Sequence, residues 1–164
     1  MAKKKETTTN AMRILKSAKI EYEPIEYEYE GEIGDNFGVE ISKRMGIDAF
    51  KIFKTLFLKG DKSGIIVCCI PACCEVDLKK VSQISGNKKT EMIHVKELLG
   101  LTGYIRGSVS PVGMKKAYPT FVDRSCLEFE KIVISAGVCG MSLSITPQDV
   151  IKITNATVDN IIKK

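Results

Sequence analysis

The fold is decided by the stretch Phe53-Lys54-Thr55-Leu56-Phe57-Leu58 and by a second apolar run at residues 65–70. A short segment containing glycine and aspartate, residues 60–64, joins the two runs, so together they predict a β-hairpin. Lysine is rarely buried without a partner, because removing its ammonium from water is costly. Lys54 therefore either receives negative charge at a site or lies on the solvent face of an edge strand with its stem against the sheet.

Short helices and strands alternate irregularly along the rest of the chain. Capping residues at 7–10 precede one helix, Asp77 can cap another that ends at Gly86, and Pro147 begins a third. A further short helix is predicted over 39–45, ended by Gly46. Further strands are predicted at 22–29, 121–122, 132–134 and 141–145, and Pro24 favours a sheet edge for the first of them.

Residues 95–113 divide into a predicted short helix over 95–99 and a loop over 100–113. The loop contains four glycines, two serines and Pro111, which indicates backbone that approaches another group closely. Taken together, the elements predict a mixed α/β domain whose sheet could curl around a small pocket.

Length and composition indicate one globular domain over residues 1–164. Hydrophobic residues make up 44% of the chain and charged residues 27%, which is typical of a globular protein with a sizeable core. No apolar run approaches the roughly 20 residues of a membrane span, and the basic start lacks the apolar stretch of a secretory signal. We therefore expect a cytoplasmic protein that does not contact a membrane.

Four of the six cysteines cluster at positions 68, 69, 73 and 74. A zinc site usually needs a second cysteine pair or histidines further along, and the single histidine, His94, has no companion. Adjacent cysteines in a strand also point to opposite faces. We expect reduced, mostly buried thiols and no metal site.

The net charge of +5 comes mainly from lysines that recur as doublets or triplets along the chain. Such doublets are compatible with a polyanion partner, because phosphate contacts give affinity that does not depend on nucleic-acid sequence. They are equally compatible with a solvated surface, so charge alone does not identify the partner.

Four separated motifs are more specific in combination than alone. They are Asn36-Phe37-Gly38, Phe53-Lys54-Thr55-Leu56, the loop 102–113, and Val133-Ile134-Ser135-Ala136-Gly137. In this order and spacing they resemble the YbaK/EbsC family of free-standing aminoacyl-tRNA editing proteins, which are related to the insertion domain of bacterial prolyl-tRNA synthetases. The resemblance runs from the first predicted helix to the last.

The resemblance implies a mixed sheet curled into a pseudo-barrel with flanking helices. It implies an enzyme that removes cysteine from mischarged Cys-tRNA(Pro), with Cys-tRNA(Cys) as a further substrate. The implied partners are the mischarged tRNA and prolyl-tRNA synthetase, with no DNA and no cofactor.

The resemblance also implies roles for particular residues. Activity would depend on Lys54. Tyr27 and Phe37 would line the pocket, and Thr55, next to the lysine, would contact the substrate. Ser135 and Gly137 would face the aminoacyl carbonyl. The chain departs from the family pattern in three places: at Ala136, at Val138-Cys139 where two cations are usual, and at Ser142 where an aspartate is common.

The reaction implied is acyl transfer off a ribose hydroxyl. The sequence shows no credible Ser-His-Asp or Cys-His arrangement for it, because its one histidine, His94, lies outside every motif. A substrate-assisted route, in which the substrate thiol attacks its own ester, suits a site poor in bases. Lys54 would then act as a fixed cation or as a proton donor. Cys69 and Cys74 are alternative nucleophiles.

Two other functions stay open. The same fold could remove alanine from Ala-tRNA(Pro), which would need an activated water because alanine has no thiol. The chain could also be a tRNA- or synthetase-binding module without catalytic activity.

Overall fold

The computed structural model describes residues 8–28, 37–105 and 107–163, apart from the side chain of Phe37. The helices within these residues are α1 (Asn10–Ser17), α2 (Phe37–Met45), α3 (Leu78–Ser85), α4 (Leu98–Thr102) and α5 (Pro147–Thr154). The strands are β1 (Glu23–Glu26), β2 (Phe53–Gly60), β3 (Gly64–Pro71), β4 (Thr90–Met92), β5 (Thr120–Asp123), β6 (Ile132–Val138), β7 (Met141–Ile145) and β8 (Thr157–Asp159). Two 3₁₀ turns cover Val95–Glu97 and Arg124–Glu128.

The strands form two sheets. The five-stranded sheet has the order β4-β2-β3-β5-β8, antiparallel from β4 to β3 and parallel from β3 to β8. The three-stranded antiparallel sheet has the order β1-β7-β6. A single bridge between Ile52 and Val133 links them, with the Val133 N–H donating to the Lys51 carbonyl at 3.0 Å. The predicted mixed α/β fold is confirmed, whereas a curled pseudo-barrel is not, because the described strands divide into two sheets.

The predicted hairpin is β2 and β3, and its turn is fixed by a buried amide. The Asn87 side-chain oxygen accepts hydrogen bonds from the Lys62 and Ser63 N–H groups at 2.8 and 2.9 Å. Its amide nitrogen donates to the hydroxyls of Ser63 and Ser85. Residue 60 is glycine because the Asn87 amide occupies the space of a side chain there.

Only the second half of β2 is covered by β4. The pairing joins Leu58, Lys59 and Gly60 to β4, and one further bond runs from the Ile93 N–H to the Phe57 carbonyl at 3.2 Å. Among the described residues, positions 54–56 of β2 have no strand on that side. We call residues 53–57 the open half of β2 and residues 58–60 the closed half.

The two faces of the hairpin pack against different cores. Phe53, Phe57 and Cys69 belong to a core shared with α1, β6 and β7. Leu58 and Cys68 belong to a second core formed with α3 and Ile161. The adjacent cysteines therefore point to opposite faces, as predicted. Three thiols are fully buried (Cys68, Cys69 and Cys126), whereas Cys73 is exposed.

The predicted caps are present at the helix ends. Thr9 accepts a hydrogen bond from the Met12 N–H, and Asp77 accepts one from the Lys80 N–H at 3.1 Å. Gly46 and Gly86 end their helices with positive φ. Strand β1 lies at a sheet edge as Pro24 indicated, but it is shorter than predicted, and Tyr29 lies outside the described residues.

The predicted start of the loop, at residue 100, is wrong. Residues 100–102 belong to α4, because the chain continues from the 3₁₀ turn into a helix that Gly103 ends at φ +82°. An added Cβ at Gly100 would meet nothing within 4 Å, so packing does not require glycine at this helical position. The strands β4 and β8 were not predicted. None of the helices in the described parts of the chain has the length and apolar character needed to cross a membrane.

Candidate functional site

A cavity of about 550 Å³ surrounds the open half of β2. Its walls come from α2, β2, β6 and β7, and from the chain between the end of β4 and the start of α4. The cavity reaches both faces of β2 because no neighbouring strand closes that edge within the described residues. An unpaired strand edge beside a cavity is a place where a ligand can meet both side chains and backbone.

Lys54 faces a cluster of small polar groups across the gap between the sheets. Side chains alternate along a strand, so Lys54 shares a face with Ile52, whose neighbours are Val133 and Ala72. Two residues beyond Val133, Ser135 lies on that same face and pairs across the sheet with Ser142. Lys54, Ser135 and Ser142 all line the cavity. Lys54 is half-buried, so it does not lie on an open solvent face.

Thr55 reaches the cavity from the opposite face of the strand. Its hydroxyl lies 3.9 Å from the Cys69 thiol, its partner across the hairpin. Burial raises the pKa of the Cys69 thiol to about 12, with the Thr55 hydroxyl acting in the opposite sense. Lys54 and Thr55 are thus neighbours in sequence that contact different walls of one cavity.

Ser135 is oriented by the glycine two residues after it. The Gly137 N–H donates a hydrogen bond to the Ser135 hydroxyl oxygen at 3.1 Å. That bond leaves the hydroxyl hydrogen of Ser135 able to donate into the cavity. We expected the Gly137 amide to face the aminoacyl carbonyl, but its N–H bonds to Ser135 instead. Gly137 is also not among the described residues that line the cavity.

Gly137 needs to be glycine for two reasons. Its φ is +97°, where a side chain is strained, and an added Cβ would lie 2.8 Å from Cε1 of Tyr104. The Tyr104 hydroxyl in turn donates to the Val112 carbonyl at 2.7 Å. The close backbone approach predicted for the loop 100–113 is seen at Gly113, where an added Cβ would lie 3.1 Å from the Ala11 backbone nitrogen.

Helix α2 and the end of β1 form the wall opposite β2. Gly38 allows α2 to approach closely, because an added Cβ there would lie 2.7 Å from the Cβ of Ala72. Tyr27 lines the cavity, and its N–H donates to the Gly140 carbonyl at 2.9 Å. The side chain of Phe37, together with residues 36 and 106 of the motifs, lies outside the described residues.

The remaining candidate nucleophiles are held in the thiol form. Burial raises the pKa of Cys74 to about 11, opposed only in part by the positive charge of Lys54. With Cys69 near 12, both thiols are almost wholly protonated at neutral pH. His94 is exposed, and its N–H donates to the Glu97 carboxylate at 3.1 Å.

Sequence reasoning missed one charged pair at the cavity rim. Lys163 and Glu75 both line the cavity, and their side chains form an ion pair at 3.3 Å. No motif includes them, and they are brought together by a bridge between Val76 and Ile162, far apart in sequence. Across the described parts of the chain, no group of three or more metal-ligating side chains comes together.

Comparison with known proteins gives a consistent result. The family model described as the aminoacyl-tRNA editing domain matches residues 38–153. A protein of Enterococcus faecalis, named as a candidate Cys-tRNA(Pro)/Cys-tRNA(Cys) deacylase, EbsC, is 42% identical over 94% of this chain and 94% of its own length.

Two solved structures share the fold. One is described as a candidate trans-editing enzyme for prolyl tRNA synthetase and has a TM-score of 0.80, with 20% identity over 97% of this chain and 100% of its own. The other, a hypothetical protein, has a TM-score of 0.85, with 20% identity over 94% of this chain and 100% of its own. At this level of identity the likeness concerns the fold alone.

Proposed function

The chain belongs to the aminoacyl-tRNA editing domain family, and from that premise we propose that it deacylates Cys-tRNA(Pro) at the cavity around Lys54. Cys-tRNA(Cys) is the second substrate in this proposal, because the Enterococcus faecalis relative is named for both. Prolyl-tRNA synthetase is the proposed partner, since one protein of the same fold is described as a trans-editing enzyme for it.

The observation that carries the proposal is the half-buried Lys54 in a largely apolar cavity that also holds the hydroxyls of Thr55, Ser135 and Ser142. An ester under attack develops negative charge on its carbonyl oxygen, and a cation or hydrogen-bond donor placed there stabilises the transition state. Lys54 supplies the cation, and Ser135, with its oxygen already bonded to the Gly137 N–H, supplies a donor.

The cavity offers no base to activate water among its described lining residues other than Glu75, which is paired with Lys163 at the rim. A nucleophile carried by the substrate removes that need. The thiol sulfur of the bound cysteine attacks its own ester carbon, and the bond from that carbon to the ribose oxygen breaks. The ribose oxygen takes up the thiol proton, and a four-membered thiolactone leaves.

Positioning supplies much of the rate in such a route, because the attacking and attacked atoms belong to one molecule. The cavity walls hold the amino acid in the reactive conformation, while Lys54 and Ser135 act on the oxygen that becomes negative. Tyr27, Phe37 and Thr55 are the proposed substrate contacts.

The test is a deacylation panel with the wild-type protein. We expect rapid release from Cys-tRNA(Pro), slower release from Ser-tRNA(Pro), in which oxygen replaces sulfur, and no release from Pro-tRNA(Pro). Thiolactone should be trapped as the first product. Equal rates on the cysteine and serine substrates would contradict the substrate-thiol route, and release from Ala-tRNA(Pro) alone would replace it with a water-based reaction.

Stable tRNA binding without turnover on any member of the panel would identify a binding module instead. In that case Lys54 would serve affinity rather than chemistry.

A further inference from the structure

Exposed acidic and basic side chains lie near the cavity. On the side of β1, Glu23, Glu26 and Glu28 are exposed, and the last two border a second cleft with Val138 and Cys139. Arg44 is a cation on that same side, because its guanidinium donates to the Glu28 carbonyl at 2.9 Å. Elsewhere the cavity is lined by Lys163 and Glu75.

Lys163 is held at the rim by a well-anchored segment. Ile161 is fully buried, its N–H donates to the Asp123 carboxylate at 3.1 Å, and its carbonyl accepts from the Asp77 N–H at 2.7 Å. The Lys163 N–H then donates to the Glu75 carbonyl at 2.9 Å. The backbone of this segment is therefore fixed beside residue 75.

A second cation lies beside the same segment. The Lys80 ammonium donates to the Ile162 carbonyl at 2.9 Å. The side chains of Lys80 and Lys163 thus both lie beside this segment.

Lys54 and Lys163 line one cavity. Glu75, in the turn after β3, lines it as well and pairs with Lys163. One cation is half-buried within the cavity, and the other is exposed at its mouth.

The ion pair between Lys163 and Glu75 is suited to exchange. Their side chains are 59% and 76% exposed, and exposed ion pairs contribute little to stability. A phosphate oxygen could replace the carboxylate at little cost, and the Lys163 ammonium would then make a charge-assisted hydrogen bond.

We infer that Lys163 binds the 5′ phosphate of the terminal adenosine while Lys54 faces the ester one ribose away. This inference rests on the proposed function, because it takes aminoacyl-tRNA as the ligand. It gives the cavity a phosphate subsite that does not use the turn at Val138-Cys139, which carries no cation.

The test compares two substrates that differ in one phosphate: 3′-O-cysteinyl-adenosine and its 5′-monophosphate. We expect Lys163→Ala to lower kcat/KM about 10-fold on the phosphorylated substrate, the loss typical of one hydrogen bond to a charged group, and to leave the other substrate unchanged. Glu75→Gln should raise kcat/KM on the phosphorylated substrate, because it removes the competing carboxylate. Lys152→Ala, at an exposed lysine on α5, is the matched control and should change neither.

An equal loss on both substrates, or no loss on either, would overturn the phosphate assignment while the deacylase proposal stands. With Cys-tRNA(Pro), Lys163→Ala should also reduce the salt dependence of log kcat/KM by about 0.7 per decade of salt, the value for one contact to a single strand.

A wild-type protein inactive on every substrate would overturn the deacylase proposal, and the subsite would then be judged by binding alone. NMR titration should show that adenosine 5′-monophosphate binds more tightly than adenosine to the wild type, and that Lys163→Ala removes the preference. Equal binding of adenosine and adenosine 5′-monophosphate by the wild type would contradict the inference.

Discussion

The two halves of β2 lie in one strand but differ in what borders them. In the closed half, β4 completes the sheet, and the Asn87 side chain satisfies the backbone N–H groups of the turn. In the open half, Lys54 and Thr55 border a cavity. The backbone of the closed half pairs with β4, whereas the open half borders the cavity. We propose that stability and chemistry are separated along this strand.

The largest expected effect distinguishes two lysines of this strand. Lys54→Ala should lower the single-turnover rate of Cys-tRNA(Pro) deacylation about 100- to 1000-fold, as expected for loss of a group that stabilises the oxyanion. Lys59→Ala is the matched control, because Lys59 is exposed in the closed half, and its rate should stay within about two-fold of wild type. Similar losses in both variants would remove the distinction between the halves.

Asn87→Ala should act in the opposite way. It leaves the Lys62 and Ser63 N–H groups without their acceptor and opens space beside Gly60, so we expect unfolding free energy to fall by about 2–4 kcal/mol. Denaturant titration measures this loss, with the exposed Gln83→Ala as control. We also measure the deacylation rate of Asn87→Ala per folded molecule. If that rate falls together with stability, the closed half also supports the chemistry.

Two glycines with positive φ separate backbone strain from a steric clash. Gly64→Ala in the hairpin turn meets nothing within 4 Å and should cost about 1–2 kcal/mol from strain alone. Gly137→Ala adds a contact of 2.8 Å with Tyr104 and displaces the amide that orients Ser135, so it should cost more and also slow deacylation. Equal rates in the two folded variants would show that the orientation of Ser135 is unimportant.

The smallest effect concerns pH and the strand opposite the open half. Cys68 and Cys69 pair with Leu56 and Thr55, and burial raises the pKa of each thiol from 9.0 to about 12. The folded state therefore favours neutral thiols, and its stability is lost as pH rises from 9 toward 12. One pH unit above 9 we expect a loss of about 1 kcal/mol per thiol.

Replacing both residues with alanine should reduce this alkaline dependence, measured by denaturation at pH 8 and pH 10. The buried Cys126, whose pKa burial raises to about 11, accounts for part of what remains. A wild type equally stable at the two values would contradict the burial of these thiols.

The sequence indicated local features better than long-range ones. The hairpin, the Asp77 cap and the helix that begins at Pro147 were predictable because a few neighbouring residues determine them. Strands β4 and β8 have three residues each and exist only through pairing with β2 and β5, so no local pattern marks them.

The candidate site shows the same limit. The family resemblance pointed to Lys54, Ser135 and Tyr27, which all line the cavity. It did not show that the Gly137 amide bonds to Ser135. The pair of Glu75 and Lys163 was also beyond reach, because it depends on the docking of a distant segment.

The most direct test of this separation measures Lys54→Ala and Asn87→Ala side by side, each for deacylation rate on Cys-tRNA(Pro) and for unfolding free energy. The separation of the two halves predicts that Lys54→Ala loses its rate and keeps its stability, while Asn87→Ala loses stability and keeps its rate per folded molecule. Variants in which rate and stability fall together would contradict it.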